Sequence, residues 1–317
     1  MVISDSTHST TSPSTSKICM LVSAVCMGNV GLFITLLAGY PVYSIVFFRG
    51  LFGTLFLTIF MIKNRSFNKE FIRESFGLHW KLLIIIGIVN ALIIYFYFVS
   101  ISISGYAIAA FLLYTSGIFF IFFLIITKEK VSKINLLSFF LAIIGVAVIM
   151  EFWFGILNWG VFYGLLSGLT LGVLVFCKKK IYNKRIQNAT ELNSKGDFDM
   201  FLAWWPTLCL ALLFLPLGAA DLLRLTLLDL IICLLLGFIP TALAFWLYNI
   251  GIKNDKGGNI VILAYFETVM ATINTIIFLK IFSIYTIIGG ALILIANAIV
   301  LKSVSYTHLT LPTILLV

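Results

Sequence analysis

Glu267 stands inside an apolar run that begins near residue 259 and ends near 279. An ionised acid at the centre of a bilayer costs about 2.5–3.5 kcal/mol on insertion scales, so such a residue normally faces a water-filled cavity or a partner. Two chemistries suit it, exchange of a proton and contact with a cationic group of a bound solute. The plain alternative is a structural hydrogen bond between helices. Tyr95, Tyr97, Tyr114, Trp246, Tyr248 and Tyr265 recur on four apolar runs. Singly each reads as packing; together they would make an apolar pocket with polar tips. Asn29, Asn90 and Asn274 add amides that either bond a polar solute or join two helices. A tyrosine-rich, nearly uncharged cavity of this kind suits an amino acid or another small amphipathic solute better than a multiply charged one.

Arg49 lies about a turn and a half inside a second apolar run, near enough to its end for the long side chain to snorkel. An interfacial anchor or a helix-to-helix hydrogen bond is expected of it before any substrate contact. Gly160, Gly164, Gly168 and Gly172 recur every four residues. At 3.6 residues per turn they share one face, where a neighbouring backbone can approach closely. That face serves either for packing alone or as a surface on which one bundle slides against another.

Enzyme chemistry finds no footing. His8, His79 and His308 all fall outside the apolar runs, and GLLSG at 164–168 does not have the spacing of a serine nucleophile elbow. No glycine-rich phosphate loop is present. No catalytic residue, metal or cofactor is expected, and movement of a solute would draw on a gradient or on exchange. Cys19, Cys26, Cys177, Cys209 and Cys233 sit in or beside apolar runs and imply no disulfide framework or metal site.

The elements that must hold these side chains are membrane helices. With 62% hydrophobic and 10% charged residues, the chain departs from soluble domains, which carry about 25% charge. The net charge of +9 does not indicate nucleic acid, because the basic residues lie in loops between runs long enough to span. Ten all-α spans are expected, at 18–38, 42–62, 82–101, 105–127, 134–151, 157–177, 200–219, 226–249, 259–279 and 283–302. With the N-terminus inside, the cytoplasmic segments hold all of the 21 basic residues except Arg224, Lys280 and Arg49. By the positive-inside rule both termini are therefore cytoplasmic.

The spans divide five and five. Residues 18–151 form the first repeat and 157–302 the second, joined by an outward loop with Trp153 and Trp159 as anchors. Because five is odd, a second copy enters the membrane upside down, an inverted repeat with its site between the halves. Gly145 and Gly289 occupy matching places in the last helix of each half. The Ser/Thr-rich residues 1–17 are expected to be a disordered tail. SVSYTHLTLPTILLV at 303–317 fits neither repeat and reads as a gene-model artefact.

At particular residues the sequence resembles the EamA-type transporters of the drug/metabolite transporter superfamily, over residues 18 to about 302. GFIPTALAFWLYNIGIK (237–253) is similar to that family's eighth-helix pattern, and YFETV (265–269) to its Glu-Pro-Val element, with Thr268 in place of the proline. LLYTSGIFF followed by KEK at 128–130 resembles the fourth-helix pattern with its closing acid, here Glu129, and Pro41 with Arg49 resembles the opening of the second helix. The resemblance implies ten helices in two inverted five-helix repeats. It implies a central cavity lined mainly by the first, third, fourth, sixth, eighth and ninth spans, and alternating-access transport of a small metabolite. The expectation is a multi-pass secondary transporter of the plasma membrane, working outward, with the lipid bilayer, a small-molecule substrate and a coupling proton as its partners and with no nucleic acid. An uncoupled channel-like facilitator or a lipid scramblase is the alternative.

Overall fold

The computed structural model describes residues 13–117, 119, 133–150, 159–187, 196–253, 261–280 and 283–309, and among them every regular element is helical. Six stretches are long and apolar enough to cross a membrane: Thr15–Leu36, Val42–Lys63, Trp80–Ser104, Trp159–Tyr182, Phe198–Arg224 and Leu227–Gly251. Phe140–Ile149, Leu263–Leu279 and Ile284–Ala296 are apolar but shorter. Of the expected fourth span, 105–127, residues 118 and 120–127 lie outside the described residues. The chain is a multi-pass membrane protein whose described elements are all helical, and among the described residues six of the ten expected spans meet the crossing length on their own.

The first span is two helices, α1 (Pro13–Met27) and α2 (Val30–Leu36), broken at Gly28 and Asn29. The break is held by side chains, since Asn29 Nδ2 donates to the Val25 carbonyl at 2.7 Å. α1 starts earlier than the expected end of a disordered tail at residue 17. The Ser16 carbonyl and Met20 pack against Gly251, 3.3 and 3.0 Å from where a Cβ would stand, and that contact orders the first turns. Residues 1–12 lie outside the described residues.

Pro41 caps α3 (Val42–Lys63), a position where a missing N–H costs nothing because it has no partner in the helix. α4 (Lys69–Ser104) is 36 residues long, so its first turns occupy what hydropathy alone reads as a cytoplasmic loop. Asn68 starts it by accepting the Glu70 N–H at 3.1 Å, an N-cap. Gly105, at φ +87, ends it in a conformation open to glycine, and α5 (Tyr106–Leu113) follows. α6 (Lys133–Met150), α7 (Trp159–Gln187) and α8 (Phe198–Gly218) come next. A 3₁₀ turn at Ala219–Arg224 leads to α9 (Leu227–Gly237), which opens with a capping box between Thr226 and Asp229. At this end Tyr40 donates to Asp229 Oδ2 at 2.8 Å and Ser44 to Asp221 Oδ2 at 2.6 Å. Desolvation, then the neighbouring Asp229, raises the Tyr40 hydroxyl above its ordinary range, so it stays a proton donor.

The eighth expected span is one continuous rod interrupted in its middle. A π-helical segment, Phe238–Leu243, separates α9 from α10 (Ala244–Lys253). Pro240 cannot donate a backbone bond, and the helix widens around it. In a membrane the groups this frees must be satisfied internally. Thr241 Oγ1 donates to the Leu236 carbonyl at 2.9 Å, and Arg49 reaches across from α3 to the Pro240 carbonyl at 3.1 Å. After a 3₁₀ turn at Val261–Tyr265 come α11 (Phe266–Leu279) and α12 (Ile284–Leu309). α12 runs on into the segment expected to be a tail beyond 302; residues 310–317 lie outside the described ones.

α6 and α12 pack antiparallel. Ala142 clusters with Ala296. A Cβ on Gly145 would lie 2.9 Å from Ile293 Cγ1, and one on Gly289 would lie 2.7 Å from Ile149 Cγ1. Numbers rise on one helix as they fall on the other. The contact is also reciprocal, a Cβ on Gly145 or Gly289 falling 2.7 or 2.5 Å from the other's carbonyl oxygen, as in a self-complementary two-fold interface. The main core lies between α2, α3, α4, α7 and α8. Leu55, Ile59, Leu212 and Leu213 point outward and stay exposed, the apolar exterior that lipid contact calls for.

Candidate functional site

The interruptions converge on one cavity. It has a volume of about 110 Å³ and takes residues from both sides of the α1–α2 break, from the end of α5, from just beyond the π segment and from the start of α11. Each break places a side chain that a straight helix would carry elsewhere. Glu267 falls in the first turn of α11, directly after the 3₁₀ turn, and is 3% exposed. The Tyr114 hydroxyl is 2.7 Å from Glu267 Oε2 and 2.8 Å from the Ala264 carbonyl, and its single proton serves one of them at a time. Tyr97 donates to Glu267 Oε1 from 3.5 Å. The Thr268 hydroxyl donates back to the Tyr265 carbonyl at 2.7 Å.

Arg49 does not reach the surface, so the expected interfacial anchor is corrected. It is 3% exposed and lines the cavity. Its Nε donates to Thr241 Oγ1 at 3.0 Å and its Nη2 to the Pro240 carbonyl, so the helix-to-helix hydrogen bond is the part of that expectation the structure shows. The Phe98 and Phe245 rings each lie 5.4 Å from the guanidinium carbon, within cation–π range. The irregular π segment holds Arg49 inside through the Thr241 hydroxyl and the Pro240 carbonyl.

Of the other residues expected at the site, Asn90, Tyr97, Tyr114 and Tyr248 line the cavity with Glu267. Asn90 also bridges α4 to α8 by donating to the Pro206 carbonyl at 3.2 Å. Tyr95 and Trp246 do not line it. Two residues along a helix is about 200° of rotation, so the face that presents Tyr97 and Tyr248 turns these two away. Tyr95 stacks on Phe214 with centroids 5.5 Å apart, and Trp246 donates to Asp197 Oδ2 at 3.4 Å. Tyr265 backs the wall, edge-on to Tyr114 at 5.0 Å. Asn29 and Asn274 bond each other at 3.2 Å, and Asn274 also donates to the Gly28 carbonyl at 2.7 Å. They join α11 to the α1–α2 break and leave the cavity to others.

Lys178 was expected in a cytoplasmic basic cluster, but it lines the cavity. Its ammonium donates to Asn249 Oδ1 at 3.1 Å and lies 5.7 Å from the Tyr248 ring centre. The signal was present in the spacing: Leu171, Leu174, Val175 and Lys178 follow one helical face, and all four line the cavity. The glycine stripe faces α4 and α5. Cβ atoms on Gly160, Gly164 and Gly168 would strike Ser104, Leu112 and Thr115 respectively, and Gly172 is buried. Its contacts are those of a packing seam. Among the described residues no group of His, Cys, Asp and Glu is placed to hold a metal ion.

The sequence matches the EamA-like transporter family twice, over residues 15–151 and again over 158–302. It is similar to an uncharacterized transporter of Archaeoglobus fulgidus, 26% identical over 276 residues that make up 87% of this chain and 92% of that one. A protein of known crystal structure superposes with a TM-score of 0.60, covering 91% of this chain and 96% of its own. At 15% identity that likeness speaks for the fold alone.

Proposed function

The chain belongs to the EamA-like transporter family, and on that premise we propose that it is a proton-coupled secondary exporter of a small amphipathic metabolite, working by alternating access. The observation that carries this reading is the cavity itself. It sits where the helix breaks meet, it is walled mostly by apolar side chains, and it holds Arg49, Lys178 and Glu267 in its lining. Broken helices around a buried site are a recurring feature of secondary transporters. In this reading ten spans form two inverted repeats, 18–151 and 157–302, and the reciprocal antiparallel contact of Gly145 with Gly289 is their two-fold axis. The test is flux in proteoliposomes with and without an imposed proton gradient. Saturable, gradient-driven movement is expected. Gradient-independent flux that never saturates would assign an uncoupled facilitator or scramblase instead.

Orientation follows from charge. Both termini are placed on the cytoplasmic side of the plasma membrane, and the Lys/Arg-rich segments with them. In a cysteine-free background, single cysteines at 63–69 and 184–195 are expected to resist an impermeant reagent added to intact cells, and cysteines at 152–157 to react. Labelling of 184–195 from outside would reverse the orientation.

A further inference from the structure

Arg49 has a donor to spare. Nε and Nη2 are held by Thr241 and Pro240, which fixes the planar fork, yet Nη1 is buried with no hydrogen-bond partner among the described residues. A buried charged donor left unpaired is costly, and this one belongs to a side chain that lines the cavity. Glu267 does not satisfy it. Among the described residues the ion pair within range is Arg224 with Asp221, and the Glu267 oxygens accept from Tyr114 and Tyr97.

A second cation stands on the same wall. Lys178 gives one of its three ammonium donors to Asn249. The buried Asp199 sits behind that contact, accepting from Tyr182 at 2.9 Å through its carboxylate and from Asn249 at 2.8 Å through its carbonyl. The described lining thus carries two basic side chains and one carboxylate, with the buried Asp199 behind Lys178. The donor left unpaired is Arg49 Nη1, which an anionic oxygen satisfies and an ammonium group does not. The rest of the wall, Ile93, Ile94, Leu171 and Leu174 among it, takes an apolar body.

We propose that the cavity is a site for a small organic monoanion, a carboxylate on an apolar body, with Arg49 Nη1 as the contact for its charge. This rests on the transporter reading in taking the cavity as the substrate site. A guanidinium edge suits a carboxylate oxygen, and the flanking Phe98 and Phe245 rings keep water from competing.

The experiment measures binding to the purified full chain by calorimetry. 4-Methylpentanoate and phenylacetate are each compared with the corresponding amide, and with leucine and phenylalanine as zwitterions of similar body. At least one of the two acids is expected to bind about 10- to 100-fold more tightly than its amide and its zwitterion, the range of a charge-assisted hydrogen bond in a dry site. Arg49→Gln should bring acid and amide to parity, and Arg49→Lys should restore part of the difference. An amide or zwitterion that binds as tightly as the acid, an Arg49→Gln protein that keeps the preference, or no response to either acid would each overturn the site. The wild-type comparison decides even if Arg49→Gln does not fold. Acid binding without flux in proteoliposomes would defeat the transporter reading and leave the site standing, whereas flux indifferent to solute charge would do the reverse.

Discussion

Glu267→Gln is expected to abolish gradient-driven accumulation and flatten the pH profile of transport, while downhill exchange of substrate continues. The amide has the size of the carboxylate. Its oxygen can accept from Tyr114 as Oε2 does at 2.7 Å, and its NH₂ can donate to the Tyr97 hydroxyl, which both gives and takes hydrogen bonds. What is lost is the titrating group. Glu267 is the carboxylate in the described cavity lining, so no second acid on that wall replaces it. Glu267→Ala is the harsher comparison. It removes the carboxylate that ties Tyr97 and Tyr114 to α11, leaving Tyr114 the Ala264 carbonyl at 2.8 Å, and should lower thermal stability where Glu267→Gln largely preserves it. Transport rates from pH 5 to 8 in proteoliposomes, beside melting temperatures of the same proteins, separate the two effects. An unchanged pH profile in Glu267→Gln would make the residue a structural bond between α5 and α11 and place coupling elsewhere.

What the sequence made legible follows from the range over which each property acts. Hydropathy belongs to runs, so the apolar spans and the membrane could be read directly, and Glu267 could be placed within one of those runs. The first turns of α4 could not, because Lys69 to Lys81 carries the charge of a loop and is helical all the same. Rotation about a helix axis is a finer matter. Hydrophobicity in a membrane helix is nearly the same on every face, so nothing in the run distinguished Tyr97 from Tyr95, or Tyr248 from Trp246. Arg49 shows a third limit. Distance from the end of a run predicts snorkelling only if no buried acceptor lies nearer, and its acceptors exist because Pro240 opens the helix facing it. A proline in mid-span was visible, but which side chain would answer it was a property of the packed bundle. Lys178 was concealed by its neighbours in sequence, since a run of three lysines reads as a cytoplasmic loop even when the first of them continues an inward face.

Gly168→Ala is expected to cost more stability than Gly164→Ala, and to reduce transport in parallel. A Cβ there would stand 2.7 Å from the Leu112 carbonyl oxygen and 3.3 Å from that of Leu113, as well as against the Thr115 hydroxyl. Those carbonyls are backbone at the end of α5 and cannot rotate away. α5 and α7 must separate, and overpacking of this kind costs about 1–3 kcal/mol. Gly164→Ala is the internal control. Its Cβ would meet Leu112 Cδ1 at 2.6 Å and the Ser100 hydroxyl at 2.9 Å, which can yield by changing rotamer, and Leu112 Cβ at 2.8 Å, which needs a small shift of the helix. The expected order of melting temperatures is therefore wild type, then Gly164→Ala, then Gly168→Ala. The functional loss follows from the same displacement, because α5 carries Tyr114 on one side of the cavity and α7 carries Leu174 and Lys178 on the other. The seam read as pure packing demands that stability and transport fall together. If Gly168→Ala keeps the wild-type melting temperature but stops transport, the stripe is a sliding surface between moving bundles, and its glycines serve the motion more than the resting fold.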